Sequence, residues 1–422
     1  ELDRDPSDYF DLKPIDPQYR VFFQEDGSKV NISPNRKKNH EIFNEIEENG
    51  AEKFEEYIAK SEFSYNTSMD FLYRDFKNIF QFFNPKLIKG GLKLHLFKNF
   101  HKYVKEHFDS DKMAKIMEYV VVFLGGTPED TPALYSLMSH VDFNLNVFYP
   151  MGGMWKVPHA MHKIGKEYGA KYFFNEPVEE VEVENGKFKG IKTPSGFKKG
   201  DMLIVNADYH YFETTLVPKK YRTYKKSYWE RKKIAPCAFV IYLGVDKKIP
   251  GLMHHNLMLS DTWDNHFDTI INNPQWPENP SYYVCCPSKS DPGVAPDGKE
   301  NLFILVPVAA GLDDTDKRRE TIFLRTIMDL EKRTGVKFKD DIISKRVFSH
   351  RDYIKDYNAY KGTAFGLAHT LFQTAIFRPN HESKKVEGLF YSGQYNHPGI
   401  GMPMTVISSQ ILRDRIMELY GG

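Results

Sequence analysis

The sequence has few cysteines, no long apolar run and almost no net charge. Its 422 residues include three cysteines, two of them adjacent, which form neither a disulfide framework nor a zinc-binding spacing. No apolar stretch approaches the ~18–20 residues that a transmembrane helix needs. The formal net charge of +1 argues against a nucleic-acid partner. We therefore expect a globular protein of a reducing compartment, located in the cytoplasm and at most peripheral to a membrane.

Aromatic residues, by contrast, are plentiful. The chain contains 32 phenylalanines and 25 tyrosines, and its length is sufficient for two domains around a large buried core. This composition suits an apolar binding tunnel, although it equally suits any large hydrophobic core.

Residues 76–105 form an unusually basic segment. Between Asp75 and Glu106 there is no acidic residue, whereas lysines alternate with phenylalanines and leucines. Such a segment suits the headgroup layer of an anionic membrane, and the alternative is a solvated amphipathic helical pair packed on the protein. We predict membrane contact through Lys86, Lys89, Lys93, Phe97, Lys98 and Phe100.

Two histidine pairs are weak candidates for metal ligands. His254 and His255 are adjacent, and His159 and His162 lie three residues apart on a predicted helix. No cysteine or carboxylate stands at a suitable spacing from the first pair. We therefore interpret residues 254–255 as a loop pair and expect no metal site.

The most informative segment lies near the C-terminus. Residues 389–391 predict a short buried strand, and a helix is predicted from about Pro403. The intervening loop contains Gly393, Gly399 and Gly401, which allow the backbone to approach a ligand closely. The helix N-terminus adds unpaired N–H groups and a partial positive charge. This junction suits a pyrophosphate or the electron-rich edge of a flavin.

The same segment resembles the C-terminal flavin-binding motif of phytoene desaturases. In that family a Tyr/Phe-x-Gly strand end leads to (Thr/Asn)-His-Pro-Gly-x-Gly-x-Pro, and here Tyr-Ser-Gly starts at Tyr391 and Asn-His-Pro-Gly-Ile-Gly-Met-Pro at Asn396. The resemblance covers essentially the whole chain. Further blocks match in the same order: FLGGTP at 123–128, PMGG at 150–153, NAD at 206–208, FVIYLG at 239–244, DPGVAPDG at 291–298 and GTAFG at 362–366.

The resemblance implies an α/β (α+β) fold of the two-domain, FAD-dependent, amine-oxidase-like or phytoene-desaturase-like type. A discontinuous dinucleotide-binding domain would accompany a mixed-sheet substrate domain that carries a helical insertion. The implied segments are 1–34, strands of the substrate domain; 35–148, the helical, membrane-facing substrate insertion; 149–216, part of the FAD-binding domain; 217–374, the substrate-domain sheet; and 375–422, the C-terminal FAD-binding part.

The resemblance also implies site residues but no catalytic base. Val178 would meet the adenine through its backbone, and Gly152 and Gly153 would lie near the flavin and the substrate end. Gln394 stands where many related flavoproteins have an acidic residue. The implied cofactor contacts are Val178, Asn206, Ala207, Asp208, Gly393, Gln394, His397, Pro398, Gly399, Ile400, Gly401 and Met402.

One hallmark of the family is not found in the sequence. The family begins with a strand, a G-x-G-x-x-G turn, a helix and an acidic residue that binds ribose. This chain opens with Glu-Leu-Asp-Arg-Asp, and its first matching residues, near Tyr9, correspond to a point well inside the family's sequence. We therefore expect that an N-terminal segment is missing, and the alternative is that the protein has lost its main phosphate-binding loop. In either case we expect the chain alone to bind FAD weakly or not at all and to be inactive.

The implied activity is the FAD-dependent desaturation of a long polyene in carotenoid biosynthesis. A hydride would pass to the flavin, and a proton would leave the neighbouring carbon. The alternatives are a carotenoid cis–trans isomerase or a hydroxycarotenoid 3,4-desaturase of the same superfamily. A non-catalytic lipid-binding protein without cofactor is the alternative from another class. The expected partners are the polyene and a membrane surface.

Overall fold

A computed structural model describes residues 4–74 and 98–421 of the chain. The α-helices of these residues are α1 (Arg36–Ile46), α2 (Gly50–Leu72), α3 (Phe100–Lys105), α4 (Asp111–Glu118), α5 (Leu137–Asn144), α6 (Lys156–Glu167), α7 (Tyr209–Tyr211), α8 (Lys226–Glu230), α9 (Trp263–Phe267), α10 (Asp316–Thr334), α11 (His350–Tyr357) and α12 (Met402–Tyr420).

The β-strands form four sheets among these described residues. They are β1 (Leu12–Pro14), β2 (Tyr19–Phe23), β3 (Lys29–Ile32), β4 (Phe148–Pro150), β5 (Glu180–Glu184), β6 (Lys187–Thr193), β7 (Gly196–Lys199), β8 (Leu203–Val205), β9 (Cys237–Val245), β10 (His255–Leu259), β11 (Tyr282–Cys285), β12 (Glu300–Val308), β13 (Ile342–Phe348) and β14 (Leu389–Tyr391).

The largest sheet has the order β13–β9–β12–β11–β10–β2–β3. Its strands pair in antiparallel fashion except β10 and β2, which run parallel. Strands β9, β11 and β12 are rich in β-branched and aromatic residues, which favour strands. The Asp-Gly pair at 26–27 forms the turn of the hairpin between β2 and β3, as such pairs commonly do.

Both faces of this sheet are buried, as β2 illustrates. Successive side chains of a strand point to opposite faces, so Val21 and Phe23 join a core cluster with Phe54 of α2. Phe22, between them, joins a second cluster with Ile327 of α10. The sheet therefore lies as a central layer between the helices α1–α5 on one side and α10 on the other.

The structure corrects the membrane prediction at Phe100. Phe100, Tyr103 and Val104 lie on one face of α3, at spacings of three and four, and Phe100 is 0% exposed in the core. The ammonium group of Lys98 pairs with Glu106. The other predicted membrane contacts, at Lys86, Lys89, Lys93 and Phe97, lie outside the described residues. Within residues 4–74 and 98–421, no helix combines the length and hydropathy that crossing a bilayer requires.

A short parallel pair, β8 and β14, positions the site. Leu389 pairs with Leu203 and Tyr391 with Val205, so the carboxyl ends of the two strands meet at one edge. Ligands of open α/β sheets bind beyond such carboxyl ends. The segment boundaries inferred from the sequence stay a prediction.

Candidate cofactor site

A cleft of about 530 Å³ opens beyond the carboxyl ends of β8 and β14. Two of its walls are formed by residues 205–209, from the last residue of β8 onward, and by residues 392–396, which follow β14. The third wall comes from α11 and the segment after it, through Tyr353, Asn358 and Thr363 among others. We call this the strand-end cleft, and its volume lies within the range of ~300–1,000 Å³ that is usual for ligand pockets.

Gly393 lies where the two strand ends approach each other most closely. The side-chain amide of Asn206 donates to the carbonyl oxygen of Ser392 at 2.7 Å, and the N–H of Gly393 donates to Oγ of Ser408 on α12 at 3.2 Å. A Cβ at position 393, whose φ is +142°, would lie 3.0 Å from Nδ2 of Asn206. Glycine is therefore required both by the backbone conformation and by the close approach.

Asp208 fixes the opposite wall of the cleft. Its Oδ1 accepts from the N–H of Tyr211 at 2.8 Å, and its Oδ2 accepts from the hydroxyl of Tyr395 at 2.7 Å and from the N–H of Tyr360 at 3.1 Å. Burial raises the pKa of this carboxyl above its usual value. Asp208 therefore ties the loop after β14 to the segment after α11, and both of its oxygens are engaged in doing so.

The strand-end cleft fits a flavin nucleotide. The main-chain N–H groups of Ala207, Asp208 and Gln394 donate to no acceptor within residues 4–74 and 98–421, and they stand at the cleft. The N-terminal turn of α12, through Thr405, also borders it. Free N–H groups beside a helix N-terminus suit an anionic phosphate group, and the Cβ-free backbone at Gly393 leaves room for it. Asn206, Ala207, Asp208, Gly393 and Gln394 are thus brought together as the sequence implied.

The glycine loop is buried from His397 to Ile400, whereas Gly401 and Met402 are exposed. The Nε2 of His397 lies 3.1 Å from the carbonyl oxygen of Leu72, at the end of α2, and Ile400 packs with Ala235, Ala368 and Phe365. Neither residue lines the strand-end cleft. A direct contact of the set His397, Pro398, Gly399, Ile400, Gly401 and Met402 with the cofactor therefore stays a prediction.

The remaining sites implied by the sequence also lie apart from the cleft. Val178 packs against the cluster around β6 and β14. The N–H of Gly152 donates to Oδ2 of Asp291 at 2.6 Å, which holds the loop before α6, and Gly153 has a φ of +109°. The predicted roles of Val178, Gly152 and Gly153 stay predictions.

Sequence reasoning missed the contribution of α11. The strand-end cleft is lined by Tyr353, Asp356 and Tyr357 of α11 and by Asn358, which directly follows this helix. No local pattern in an amphipathic helix reveals that its end faces a ligand. The available signal was the nearby block at 362–366, which resembles the phytoene desaturase family. No role in the site was assigned to this block from the sequence.

The structure also corrects the reason for dismissing the His254–His255 pair. Antiparallel pairing of β10 with β11 places Cys285 opposite His255, and the ligand atoms of His254, His255 and Cys285 lie within 4.8 Å of one another. Burial lowers the pKa of His254 to about 4 and that of His255 to about 3, so both imidazoles are neutral near pH 7. A thiol therefore does stand beside the two imidazoles, although it comes from another strand.

A second, apolar cavity lies on the other side of the segment 363–365. Thr363 and Ala364 line the strand-end cleft, whereas the next residue, Phe365, lines this cavity, whose volume is about 60 Å³. Its floor is formed by β9, β12, β11 and β10, and its roof includes α9. We call it the apolar cavity, and its lining residues are Tyr119, Pro236, Cys237, Leu257, Leu259, Trp263, His266, Ser281, Tyr282, Tyr283, Leu305, Pro307 and Phe365.

Comparison with known proteins places this chain in a defined family. Residues 10–411 match the family of flavin containing amine oxidoreductases. Among solved structures, cyclohexylamine oxidase from Brevibacterium oxydans is similar with a TM-score of 0.55 at 12% identity, over 98% of this chain and 83% of that one. A putrescine oxidase is similar with a TM-score of 0.54 at 11% identity, over 96% of this chain and 82% of that one. The chain belongs to this family and has its FAD-dependent oxidoreductase fold.

Curated relatives narrow the class further. The chain is 41% identical to the carotenoid 3,4-desaturase of Haloarcula japonica over 417 residues. This alignment covers 98% of this chain and 84% of that protein. It is 27% identical to the zeta-carotene-forming phytoene desaturase of Myxococcus xanthus, over 97% of this chain and 80% of that protein. Within the flavin containing amine oxidoreductases, the chain belongs to the phytoene desaturase family, as the sequence motifs implied.

The buried His397 makes the stability of the protein depend on pH. Burial lowers the pKa of His397 to about 3, whereas an unfolded histidine titrates near ~6.5. The unfolded state therefore binds a proton that the folded state excludes, and stability is lost as the pH falls below about 6.5. We expect His397→Gln to reduce the slope of the unfolding free energy against pH by about 1.4 kcal/mol per pH unit between about pH 4 and 6.

Denaturant unfolding of the FAD-free protein measures this slope. His159→Gln is the matched control, because the side chain of His159 is exposed on α6 and stays in water in both states. Carboxyl groups that titrate in the same range are common to all three proteins and cancel in the comparison. An unchanged slope in His397→Gln would contradict a neutral, buried imidazole.

Proposed function

We propose that this protein removes hydrogen from a carotenoid-type polyene, with FAD as the acceptor. Support comes from the 41% identical relative, whose name is carotenoid 3,4-desaturase. The structural observation that carries the proposal is the position of Thr363, Ala364 and Phe365. These consecutive residues separate a cleft suited to a nucleotide from an apolar cavity on the sheet.

The chain's own residues supply binding and the exclusion of water. When bound, FAD supplies the acceptor for a hydride, while a proton leaves the neighbouring carbon of the substrate. The free N–H groups of Ala207, Asp208 and Gln394 hold the polar cofactor. Phe365 and the apolar side chains of the sheet offer a polyene only shape and dispersion contacts, and a chain without polar groups needs nothing else along its length.

A 3,4-desaturase is the favoured form of this activity. The relative of that name is 41% identical, whereas the phytoene desaturase of Myxococcus xanthus is 27% identical. A carotenoid cis–trans isomerase is the alternative within the same fold, and it would produce no net oxidation. A lipid-binding protein without redox activity is the alternative from another class.

Product analysis tests the proposal. The full-length protein, loaded with FAD, is incubated without oxygen with a phytoene-type hydrocarbon and, separately, with a hydroxylated carotenoid. A desaturase bleaches the flavin absorbance in step with a product that is lighter by two hydrogen atoms. A product of unchanged mass would identify an isomerase, and bound but unaltered polyene with oxidised flavin would identify a binding protein. Either result would overturn the desaturase assignment.

We further propose that the protein binds membranes at their surface through Lys86, Lys89, Lys93 and Phe97 of the basic segment. A long hydrocarbon is nearly insoluble in water, so an enzyme that acts on it gains access at the bilayer. The support is the sequence alone: lysines interleaved with phenylalanines and leucines, with no acidic residue between Asp75 and Glu106.

Binding to liposomes tests the membrane proposal. We expect sedimentation with anionic vesicles that weakens as salt is added, because each lysine near the surface contributes about 1 kcal/mol of screened attraction. The triple variant Lys86→Gln, Lys89→Gln, Lys93→Gln is expected to weaken binding by about 100-fold or more. The matched control replaces three exposed lysines of a second basic run, at 219–233, with glutamine: Lys219, Lys225 and Lys226. Equal binding by both variants would contradict the proposal.

A further inference from the structure

His266 lines the apolar cavity with both ring nitrogens unpaired. The side chain, on α9, is 2% exposed, and neither Nδ1 nor Nε2 has a hydrogen-bond partner among residues 4–74 and 98–421. Buried polar groups in native proteins are almost always paired, and an orphaned one loses the hydrogen bonds that it makes in water. An imidazole held in this state at a cavity wall points to a partner that arrives with a ligand.

The other polar side chains of the same wall are already engaged. The Tyr119 hydroxyl donates to Asp142, the Tyr282 hydroxyl to Asp329 and the indole N–H of Trp263 to Glu118. The Tyr283 hydroxyl pairs with His255, Oγ of Ser281 accepts from the N–H of Ser260, and the Cys237 thiol contacts the carbonyl of Ala238. Among the described lining residues, His266 is therefore the polar side chain that has no hydrogen-bond partner at all.

The protonation state of His266 defines the ligand chemistry. Burial lowers its pKa to about 4, so the ring is neutral near pH 7. A neutral imidazole offers one N–H donor and one nitrogen acceptor. A hydroxyl group can pair with either nitrogen, by donating to the unprotonated one or by accepting from the N–H, whereas a carbonyl can only accept from the N–H. An ionised group would be left without a counter-charge in this apolar wall.

The size of the cavity limits what it can hold. Its volume is about 60 Å³, and a water-sized group occupies about 10–15 Å³ by the same measure. The cavity therefore accepts about four to six non-hydrogen atoms, which corresponds to the end of a chain and not to its length. Phe365 closes it toward the strand-end cleft, so a chain end seated here would place the bonds near that end closest to the cleft.

We propose that the apolar cavity binds a hydroxyl-bearing end group of the polyene and that His266 is the positioning residue that hydrogen-bonds this hydroxyl. The proposal rests on the proposed function, because it names the substrate class of the same site. It accounts for an orphaned imidazole in an otherwise satisfied apolar wall.

Two polyenes that differ only in the terminal hydroxyl test the proposal. We expect the wild-type protein to favour the hydroxylated polyene in kcat/KM by about tenfold or more, because the hydrocarbon leaves the imidazole unpaired. His266→Leu, which keeps an apolar side chain of similar size, should lose this preference through a higher KM for the hydroxylated polyene. The readout is the ratio of the two kcat/KM values in each protein, and not the rate with either polyene alone. His266→Gln, which retains a donor and an acceptor, should retain part of the preference.

A binding measurement separates this proposal from the proposed function. Quenching of the tryptophan fluorescence, to which Trp263 in the cavity wall contributes, reports the affinity of each polyene without turnover. If the wild-type protein binds the hydroxylated polyene more tightly and His266→Leu abolishes this preference, the result supports the site. This holds even if neither polyene is oxidised, because a lack of oxidation contradicts only the desaturase assignment. Equal affinities of the wild-type protein for the two polyenes would overturn the His266 site whatever the fold stability of the variants.

Discussion

In the full-length protein, replacing Gly393 with valine is expected to weaken FAD binding by about 100-fold, so that most of the bound flavin is lost on purification. The backbone at this position has a φ of +142°, and a Cβ would lie 3.0 Å from Nδ2 of Asn206. A residue forced into such a conformation costs about 1–3 kcal/mol. The branched side chain would also fill the strand-end cleft between Asn206 and Gln394, where the free N–H groups stand.

Gly196→Val is the matched control for this experiment. Gly196 has a φ of +104° at the start of β7, and a Cβ there would meet nothing within 4 Å. It therefore carries a similar backbone strain away from the cleft. We expect the control to keep its flavin absorbance and its affinity in fluorescence titration. Normal flavin content in Gly393→Val, with the fold intact by circular dichroism, would argue against FAD at the strand-end cleft.

The second large effect is expected at Gly399, where alanine should destabilise the fold by about 3 kcal/mol or more. A Cβ at this position, whose φ is +129°, would lie 2.2 Å from Nε2 of His369 and 2.8 Å from Nη2 of Arg378. Arg378 is buried, and its guanidinium donates to the carbonyl oxygens of Gln394 at 3.0 Å and Leu367 at 3.1 Å. Displacing Arg378 would release the loop that forms one wall of the cleft.

Unfolding in denaturant, without FAD, measures this loss, because a bound ligand would add its own stabilisation. Gly298→Ala is the control, since Gly298 also has a positive φ, +78°, but the added methyl group would have no neighbour within 4 Å. Combining Gly399→Ala with His369→Ala removes the ring that the methyl group meets and should restore part of the stability. A Gly399→Ala variant as stable as its Gly298→Ala control would contradict this packing.

The sequence predicted the local elements around the site well. The strand at 389–391 has the predicted bounds, and α12 begins one residue before the predicted start. These elements are encoded by nearby residues: a short apolar run for the strand, and Gly401 and Pro403 on either side of the first residue of α12. Such signals require no knowledge of the remaining fold.

Only part of the candidate site could be predicted in this way. Asn206 and Gly393 were both named from the resemblance, and the parallel pairing of β8 and β14 does bring them together. Phe100 was assigned to a membrane surface because its neighbours are lysines, yet it is buried in the core. A segment rich in both lysine and phenylalanine does not show which face packs, because that depends on the partners that α3 meets.

The chain by itself determined the family, the flavin chemistry and the loop that follows β14, because these depend on short runs of residues whose order is fixed. Tertiary structure decided which distant side chains meet: Cys285 beside His255, Tyr395 on Asp208, and Phe365 between a polar cleft and an apolar cavity. Strand pairing and helix packing bring these residues together, and both are driven largely by the burial of apolar surface. Because that driving force is not directional, a local sequence pattern does not show which distant residues come into contact.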